Sequence, residues 1–435
     1  MTLRPHHWVV LSAWVSKLIT AVIQIAIIRI IISKIGLDLY AGLALLTGLA
    51  GWYVLADFGI GNSLQNYIAE RRARGESANE LIITSLLLGI IIMASLLLLL
   101  YFSSAYLGPL LLKNITQLDS QSKESSFWWF GALSLLGVAG GLVFKIWYAT
   151  QKGYLANILP AVGAIIGFVI IECIADATPS EQLLWCLVAL TAPVALLSIP
   201  ALMYQIFTAY LAGGRPSVSH ATLLMKRAAR FMGLAVMAAV VLQVDYIVIS
   251  QYLSSTDIAI YNISTKIFST TFFVYYSVLL AFWPIFTELI AMNKWRKIIS
   301  TIKVIVAGGV LFMLAVTTAV LWFEGGITGF LAPNTSLHIE SKIIVLLGIY
   351  FIVRIWTDTF STVLASMSQV RALLIWVPVQ AALNIGLQVY LAPRFGLIGV
   401  ITGLILAYLL TVAWVLPLQV LRNSSASLKT QFSIQ

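Results

Sequence analysis

The chain has 435 residues, of which 60% are hydrophobic and only 10% are charged, and its mean hydropathy is +0.98. This composition excludes the two or three soluble domains that such a length would otherwise suggest, because so many apolar side chains must face lipid. The formal net charge of +10 suggests nucleic acid at first sight, but Lys and Arg in a membrane protein chiefly indicate its orientation. We expect an all-α integral membrane protein that binds no nucleic acid.

Twelve apolar segments are long enough to cross about 30 Å of hydrocarbon as helices, at a rise of about 1.5 Å per residue. None shows the polar and apolar alternation of a barrel strand. The first lies close to Met1 and has no cleavage site after it, so we expect it to act as a signal anchor. In chain order the predicted spans cover residues 9–33, 41–60, 81–105, 127–149, 155–175, 183–206, 228–250, 258–289, 298–323, 341–367, 372–391 and 397–420.

Basic residues are distributed unevenly around these spans. With a cytoplasmic N-terminus, fifteen of the 26 Lys and Arg residues fall in inward segments, five in outward loops and six within spans. Cytoplasmic segments of membrane proteins are enriched in Lys and Arg, so this split predicts that both termini are cytoplasmic. The basic surplus also favours contact with anionic lipid headgroups.

The two halves of the chain resemble each other. Gln151 precedes Pro160 by nine residues, Gln369 precedes Pro378 by nine, and the two pairs are offset by 218 residues. This repeat predicts two six-helix lobes related by a pseudo-twofold axis along the membrane normal, with the substrate path between them. The predicted boundaries are an N-lobe at 1–206, a cytoplasmic linker at 207–227, a C-lobe at 228–420 and a cytoplasmic tail at 421–435.

Arg354 and Asp358 are candidates for a functional site inside the bilayer. They lie one helical turn apart, on one face of the predicted span 341–367. A charge near the bilayer centre is costly, so it usually serves binding or transport. The alternative is a self-neutralised pair that only helps the helix to pack.

Three further bases lie within spans and have no acid three or four residues away: Lys17, Arg29 and Lys266. Each therefore either meets an acid from another helix or faces water and an anionic ligand. Lys17 is also close enough to a helix end for its ammonium to reach the interface.

Two more acids are candidates for tuning these charges or for coupling to an ion. Asp245 lies about a turn from the outer end of span 228–250, and Asp57 ends span 41–60. For Asp57 the alternative is a charged helix terminus followed by the glycine stop signals Gly59 and Gly61.

The sequence lacks the motifs of common enzymes. It contains no GxxxxGK[ST], HExxH, CxxC or GxSxG motif, and its four histidines lie in the N-terminal tail or in loops. The longest predicted outward loop, 106–126, is too short to hold a catalytic domain. We expect a carrier that is not an enzyme and has no cofactor or metal site.

Three motifs resemble the polysaccharide transporter family, notably its bacterial O-antigen flippases. They are the run DFGIGNSL from Asp57 to Leu64, the segment 151–160 and the run APRFGLIG from Ala392 to Gly399. The similarity covers the whole chain in helix number, length and order. It implies a two-lobed carrier of the multidrug/oligosaccharidyl-lipid/polysaccharide exporter superfamily, which alternates between inward- and outward-facing states around an often cationic cavity.

The resemblance also implies a substrate: an undecaprenyl-pyrophosphate-linked O-antigen unit that crosses a bacterial inner membrane from the cytoplasmic to the periplasmic leaflet. Membrane lipids, a glycan polymerase and a chain-length regulator are the implied partners, and the expected state is a monomer. The residues assigned to the pyrophosphate headgroup are Arg29, Lys266, Arg354 and Lys17. Those assigned to charge tuning or ion coupling are Asp245, Asp358 and Asp57.

Three alternatives remain. A multidrug or organic-cation antiporter of the same fold favours carboxylates in its N-lobe, whereas the first predicted span carries two bases and no acid. A scaffold that does not transport would leave the deep bases unexplained. A lipid II flippase is the third alternative, but that branch looks like proteins of fourteen helices, whereas this sequence predicts twelve.

Overall fold

The computed structural model describes residues 5–174, 177–333, 335, 337–367 and 371–432. This described chain consists of fourteen α-helices and one 3₁₀ helix, without β-strands, so the predicted all-α fold is confirmed. The helices are α1 Pro5–Gly48, α2 Ala50–Tyr53, α3 Ile60–Ala73, α4 Asn79–Leu111, α5 Ser120–Ala149, α6 Gly153–Glu172, α7 Pro179–Leu211, α8 Val218–Tyr252, α9 Ser255–Ala291, α10 Trp295–Trp322, α11 Glu324–Leu331, α12 Ser341–Ser366, α13 Arg371–Leu410 and α14 Val412–Phe432.

Within the described residues, nine helical segments are long and apolar enough to cross a membrane, or ten if the bent pair Val218–Val241 and Gln243–Tyr252 forms one span. Trp14–Asp57 has 44 residues and Leu374–Ser424 has 51. At 1.5 Å per residue these segments reach about 66 and about 77 Å, more than twice the hydrocarbon thickness. Each is therefore long enough for two crossings, and the number of twelve spans stays a prediction.

Both of these long segments are interrupted by a glycine with a left-handed backbone. Gly36 in α1 has φ +78° and Gly396 in α13 has φ +60°, and the helix is kinked at each. Residues with a Cβ rarely adopt this conformation, so glycine is suited to ending or redirecting a helix. Gly36 lies between the first two predicted spans and Gly396 between the last two, where the hydropathy pattern also places breaks.

The chain packs as two compact units. The first comprises Met1–Ala239 and Leu331–Asn334. Inside it, α5 packs along α4 and α7, while α6 packs against α1 and α7. Its core includes the buried side chains Ile60, Leu64 and Leu86. Lipid is as apolar as these side chains, so close packing and hydrogen bonds, rather than the expulsion of water, hold such helices together.

The second unit comprises Val240–Phe330 and Thr335–Gln435. Helix α12 contacts α9, α10, α13 and α14 within it. The indole of Trp356 on α12 donates from Nε1 to the carbonyl of Ala413 on α14 at 2.8 Å. The helix that carries Arg354 and Asp358 is therefore surrounded by four others.

The interval predicted as a linker, 207–227, is partly helical. Helix α7 continues to Leu211 and α8 begins at Val218. The start of α8 is tied to α3 by a bidentate ion pair, in which Arg227 Nη2 lies 2.8 Å from Glu70 Oε1 and Nη1 lies 3.1 Å from Oε2. These hydrogen bonds hold the pKa of the Glu70 carboxyl below its usual value. The lobe boundaries stay a prediction.

Gly59 lies in a tight turn against α8, where there is no room for a side chain. Its φ is +77°, and an added Cβ would lie 2.5 Å from the carbonyl oxygen of Ala228. We predict that Gly59→Ala lowers the free energy of unfolding by about 2 kcal/mol or more, since left-handed strain of about 1 kcal/mol adds to this overlap. Thermal unfolding of the purified protein in detergent measures the change.

Gly75 is the matched control. Its φ is +70°, but an added Cβ would meet nothing within 4 Å. Gly75→Ala should therefore cost only the backbone strain, about 1 kcal/mol. Equal losses in the two variants would show that the contact with Ala228 has no effect on stability.

Candidate functional site

Arg354 and Asp358 lie together on α12, as their spacing predicts. Arg354 Nη2 is 3.5 Å from Asp358 Oδ2, and the two side chains are 19% and 25% exposed. Since the pair carries one positive and one negative charge, each charge lowers the cost of placing the other inside the bilayer. The packing role that the sequence left open therefore remains compatible with this geometry.

Aromatic rings hold the Arg354 guanidinium in place. Its central carbon lies 4.4 Å from the ring centroid of Phe272, 5.7 Å from that of Phe351 and 5.9 Å from that of Tyr350. A planar, weakly hydrated guanidinium is suited to such contacts. Its Nε is buried and has no acceptor among the residues that the structure describes. The rings and Asp358 thus fix the position of Arg354, although one of its buried donors meets no acceptor in this part of the chain.

A cavity of about 480 Å³ lies beside this ion pair in the second unit. Its volume is in the range of small-molecule sites, about 300 to 1,000 Å³. The walls come from α9 and α12 and combine aromatic rings, hydroxyl groups, one cation and one anion. The lining residues are Ser269, Phe272, Phe273, Tyr276, Trp283, Arg354, Asp358, Ser361, Thr362 and Ala365.

Lys266 lies on α9, one helical turn before Ser269 of the cavity wall. Its side chain is half-buried, and its ammonium forms no hydrogen bond or ion pair with any described residue. The neighbouring Asn262 uses its amide to donate to the Tyr246 hydroxyl at 2.8 Å. The sequence left two alternatives for Lys266: an acid on another helix, or water and an anionic ligand. No acid of the described chain pairs with it, so the second alternative is favoured.

Lys17 and Arg29 both have exposed side chains on α1. Arg29 shares one helical face with Val22 and Ile25, which are 68% and 42% exposed. A different face of α1 packs on α6, where Ser16 Oγ donates to the carbonyl of Asn157 at 2.5 Å. The exposed face that carries Arg29 is therefore not the face of α1 that packs on α6.

Asp245 is buried in a polar network of the second unit. Its carboxylate accepts hydrogen bonds from the Tyr261 hydroxyl and, at 3.3 Å, from Gln388 Nε2. Gln388 Nε2 also lies 2.9 Å from Asn384 Oδ1. A buried carboxylate is costly unless such donors surround it, so this network is what makes the position tolerable.

The glutamine and asparagine of this network were missed by the sequence reasoning. A signal for them exists, because Gln380, Asn384 and Gln388 follow one another at four-residue intervals in an otherwise apolar segment. That spacing puts them on one helical face, and all three are buried. Polar residues in a transmembrane face are as informative as charged ones.

Asp57 caps the start of α3. Its Oδ1 accepts from the backbone N–H of Gly59 at 2.7 Å and its Oδ2 from that of Gly61 at 3.3 Å. A carboxylate at a helix N-terminus satisfies unpaired N–H groups and complements the helix dipole. The structure thus shows the helix-terminal role, and a part for Asp57 in ion coupling stays a prediction. Among the described residues, no group of three His, Cys, Asp or Glu side chains could hold a metal ion.

We predict that Arg354→Gln lowers the free energy of unfolding by about 1–3 kcal/mol, because it leaves the Asp358 charge partly buried without its partner. Asp358→Asn should act in the same direction. The double variant should recover part of the loss, since no unpaired charge remains. Unfolding of the four proteins in detergent tests this, and strictly additive losses would show that the two side chains do not stabilise each other.

The chain has a close relative among curated proteins, although no family model matches it. The putative O-antigen transporter of Salmonella typhi is 36% identical to it over 427 residues, which cover 97% of each chain. The match therefore covers nearly the whole length of both proteins.

Two solved structures share the fold. An inward-facing multidrug resistance transporter of the MATE family, in the MOP superfamily, matches with a TM-score of 0.73 at 14% identity, over 94% of this chain and 96% of its own. The lipid II flippase MurJ, in an inward closed conformation, matches with a TM-score of 0.71 at 13% identity, over 98% of this chain and 92% of its own. At these identities the likeness concerns the fold alone.

Proposed function

Because this chain belongs to the O-antigen transporter family, we propose that it moves undecaprenyl-pyrophosphate-linked O-antigen units from the cytoplasmic to the periplasmic leaflet of a bacterial inner membrane. The relative's name and the identity over nearly the whole length support the substrate class. The fold of a protein named a lipid II flippase is compatible with moving a lipid headgroup across a membrane.

The proposed architecture has twelve spans in two lobes, 1–206 and 228–420, joined by a cytoplasmic linker and followed by a cytoplasmic tail at 421–435. The kinks at Gly36 and Gly396 support the division of the two longest segments into pairs of spans. In this topology both termini are cytoplasmic, and transport proceeds by alternating access.

The structural observation on which the proposal depends is the environment of the Lys266 ammonium. A half-buried ammonium that meets no acid in the described part of the chain is suited to bind a pyrophosphate, which carries at least two negative charges. Arg29 and Lys17 present two further bases on exposed parts of α1. We propose that these three side chains, together with Arg354, hold the headgroup during transport.

Asp245, with Asp358 and Asp57, is proposed to tune these bases or to couple transport to an ion gradient. Asp245 is the strongest of the three candidates, because it is buried and its donors come from α9 and α13. A change in the charge of Asp245 on α8 would therefore alter its hydrogen bonds to α9 and α13 at the same time.

A multidrug or organic-cation antiporter is the second candidate function. The MATE-like fold and the presence of Asp358 in an aromatic cavity favour it. The Arg354 guanidinium opposes this function, because it lies 3.5 Å from the carboxylate and so occupies the place where a cationic ligand would be neutralised.

We propose in addition that the carrier acts as a monomer and delivers its glycan to a polymerase and chain-length regulator.

The first experiment uses cells that lack this protein and express its variants. Lys266→Gln should reduce the O-antigen on the cell surface by about tenfold or more, since losing one charged contact is worth at least about 1.4 kcal/mol. Lys266→Arg should retain part of the activity because it keeps the charge. Lipid-linked glycan should accumulate in the cytoplasmic leaflet when the protein is absent.

Lys303→Gln is the matched control, because Lys303 also lies within a long apolar helix, α10, but its side chain is exposed. It should support O-antigen export like the wild type. Full complementation by Lys266→Gln would contradict the role of Lys266. An unchanged glycan distribution with altered dye efflux in the deletion strain would favour the antiporter.

We predict that Asp245→Asn abolishes the dependence of transport on an imposed proton or sodium gradient, because it removes the charge and keeps the side-chain size. Proteoliposomes with and without the gradient measure this. Asp38→Asn is the control, since Asp38 accepts a hydrogen bond from the Thr116 backbone at 3.2 Å and lies outside the buried network. If gradient dependence persists in the Asp245 variant, this carboxylate is not the coupling group.

A further inference from the structure

The cavity between α9 and α12 is not built like an anion site. Arg354 is the cation of its wall, and Asp358 lies 3.5 Å away and neutralises it. A pyrophosphate entering this cavity would meet the carboxylate as well as the guanidinium, and the repulsion would offset the attraction. The cavity is therefore suited to a ligand without net charge.

The remaining walls combine apolar rings with unused hydroxyl groups. Tyr276 and Trp283 lie seven residues apart on one face of α9, and Trp283 is 39% exposed. The hydroxyls of Tyr276 and Ser361 form no hydrogen bond with any described residue. A sugar ring has the matching chemistry, because its C–H face packs on aromatic rings while its hydroxyls donate and accept hydrogen bonds.

The ion pair also fits this kind of ligand. Asp358 is an acceptor, and the partly exposed guanidinium of Arg354 is a donor beside it in the cavity wall. A fixed donor beside a fixed acceptor can bind the hydroxyl groups of a sugar, each of which is both donor and acceptor. The arrangement supplies polarity and orientation without attracting an ion.

Lys266 lies on α9 just before Ser269, the first residue of that helix in the cavity wall, and is not itself part of the wall. It is three residues before Ser269, which corresponds to a rise of about 4.5 Å along the helix. Lys266 and the aromatic cavity, which has no net charge, are therefore neighbours along α9. This order matches a ligand in which a sugar is bonded directly to a pyrophosphate.

We propose that this cavity is a subsite for the sugar residues of the transported glycan, with the pyrophosphate held by Lys266 at the end nearest Ser269. The inference rests on the proposed function, because sugar and pyrophosphate belong to the same lipid-linked headgroup. It also makes the role of Arg354 more specific: within the headgroup, Arg354 and Asp358 bind the sugar hydroxyls.

The test compares two lipids that differ only in the glycan: undecaprenyl pyrophosphate, and the undecaprenyl-pyrophosphate-linked O-antigen unit extracted from producing cells. Radiolabelled forms of both are bound to purified protein in detergent. Trp283→Leu should weaken binding of the glycan-bearing lipid by about tenfold, as expected for an aromatic contact at the centre of a site. It should leave binding of undecaprenyl pyrophosphate unchanged.

Two controls define the result. Trp322→Leu removes a tryptophan that is 82% exposed at the end of α10, and it should change neither affinity. Lys266→Gln should weaken both lipids, because both carry the pyrophosphate. Tyr276→Phe removes a single hydroxyl with little change in packing, so it should weaken binding of the glycan-bearing lipid alone. This variant tests the sugar subsite even if the Trp283→Leu protein unfolds.

The outcomes separate the two proposals. Wild-type protein that binds neither lipid would overturn the proposed function. Wild-type binding of both lipids, with equal losses or no loss in the Trp283 and Tyr276 variants, would overturn only the sugar subsite. Weaker binding of ethidium with unchanged glycan binding in those variants would replace it with an organic-cation site.

Discussion

A charge inside a bilayer needs a counter-charge, a hydrogen-bond network, water or a ligand, because hydrocarbon offers none of these. This constraint sorts the charged side chains of the second unit. Arg354 is balanced by Asp358 and covered by Phe272. Asp245 is surrounded by donors from neighbouring helices. Lys266 meets no acid among the described residues, and for this reason we propose that its charge is balanced by a bound headgroup.

Much of the fold could be predicted from the sequence because hydropathy is a local property. An apolar segment of about twenty residues must form a helix in lipid, whatever its neighbours are. The kinks at Gly36 and Gly396 fall between predicted spans for a similar reason, since only glycine adopts a left-handed backbone easily. The pairing of Arg354 with Asp358 follows from helical periodicity alone.

The rest of the site depends on which helices meet, and local patterns do not contain that information. The donors to Asp245 come from residues 16 and 143 positions away. Trp283 and Tyr276 look like the many aromatic residues that face lipid until the cavity places them opposite Arg354 and Asp358. Asp57 can cap α3 only because the chain turns at Gly59, which brings backbone N–H groups to its carboxylate. That Lys266 meets no acid from another helix, within the residues described, is likewise visible only in three dimensions.

We propose that Lys266 binds the pyrophosphate of the headgroup, while the cavity along the same helix binds its sugars. A cryo-electron microscopy structure with the bound undecaprenyl-pyrophosphate-linked O-antigen unit tests it most directly. We expect pyrophosphate oxygens within hydrogen-bond distance, about 3 Å, of Lys266 Nζ, and sugar rings against Trp283 and Tyr276. Pyrophosphate bound at Arg354 with Lys266 facing lipid, or sugars bound outside this cavity, would contradict it.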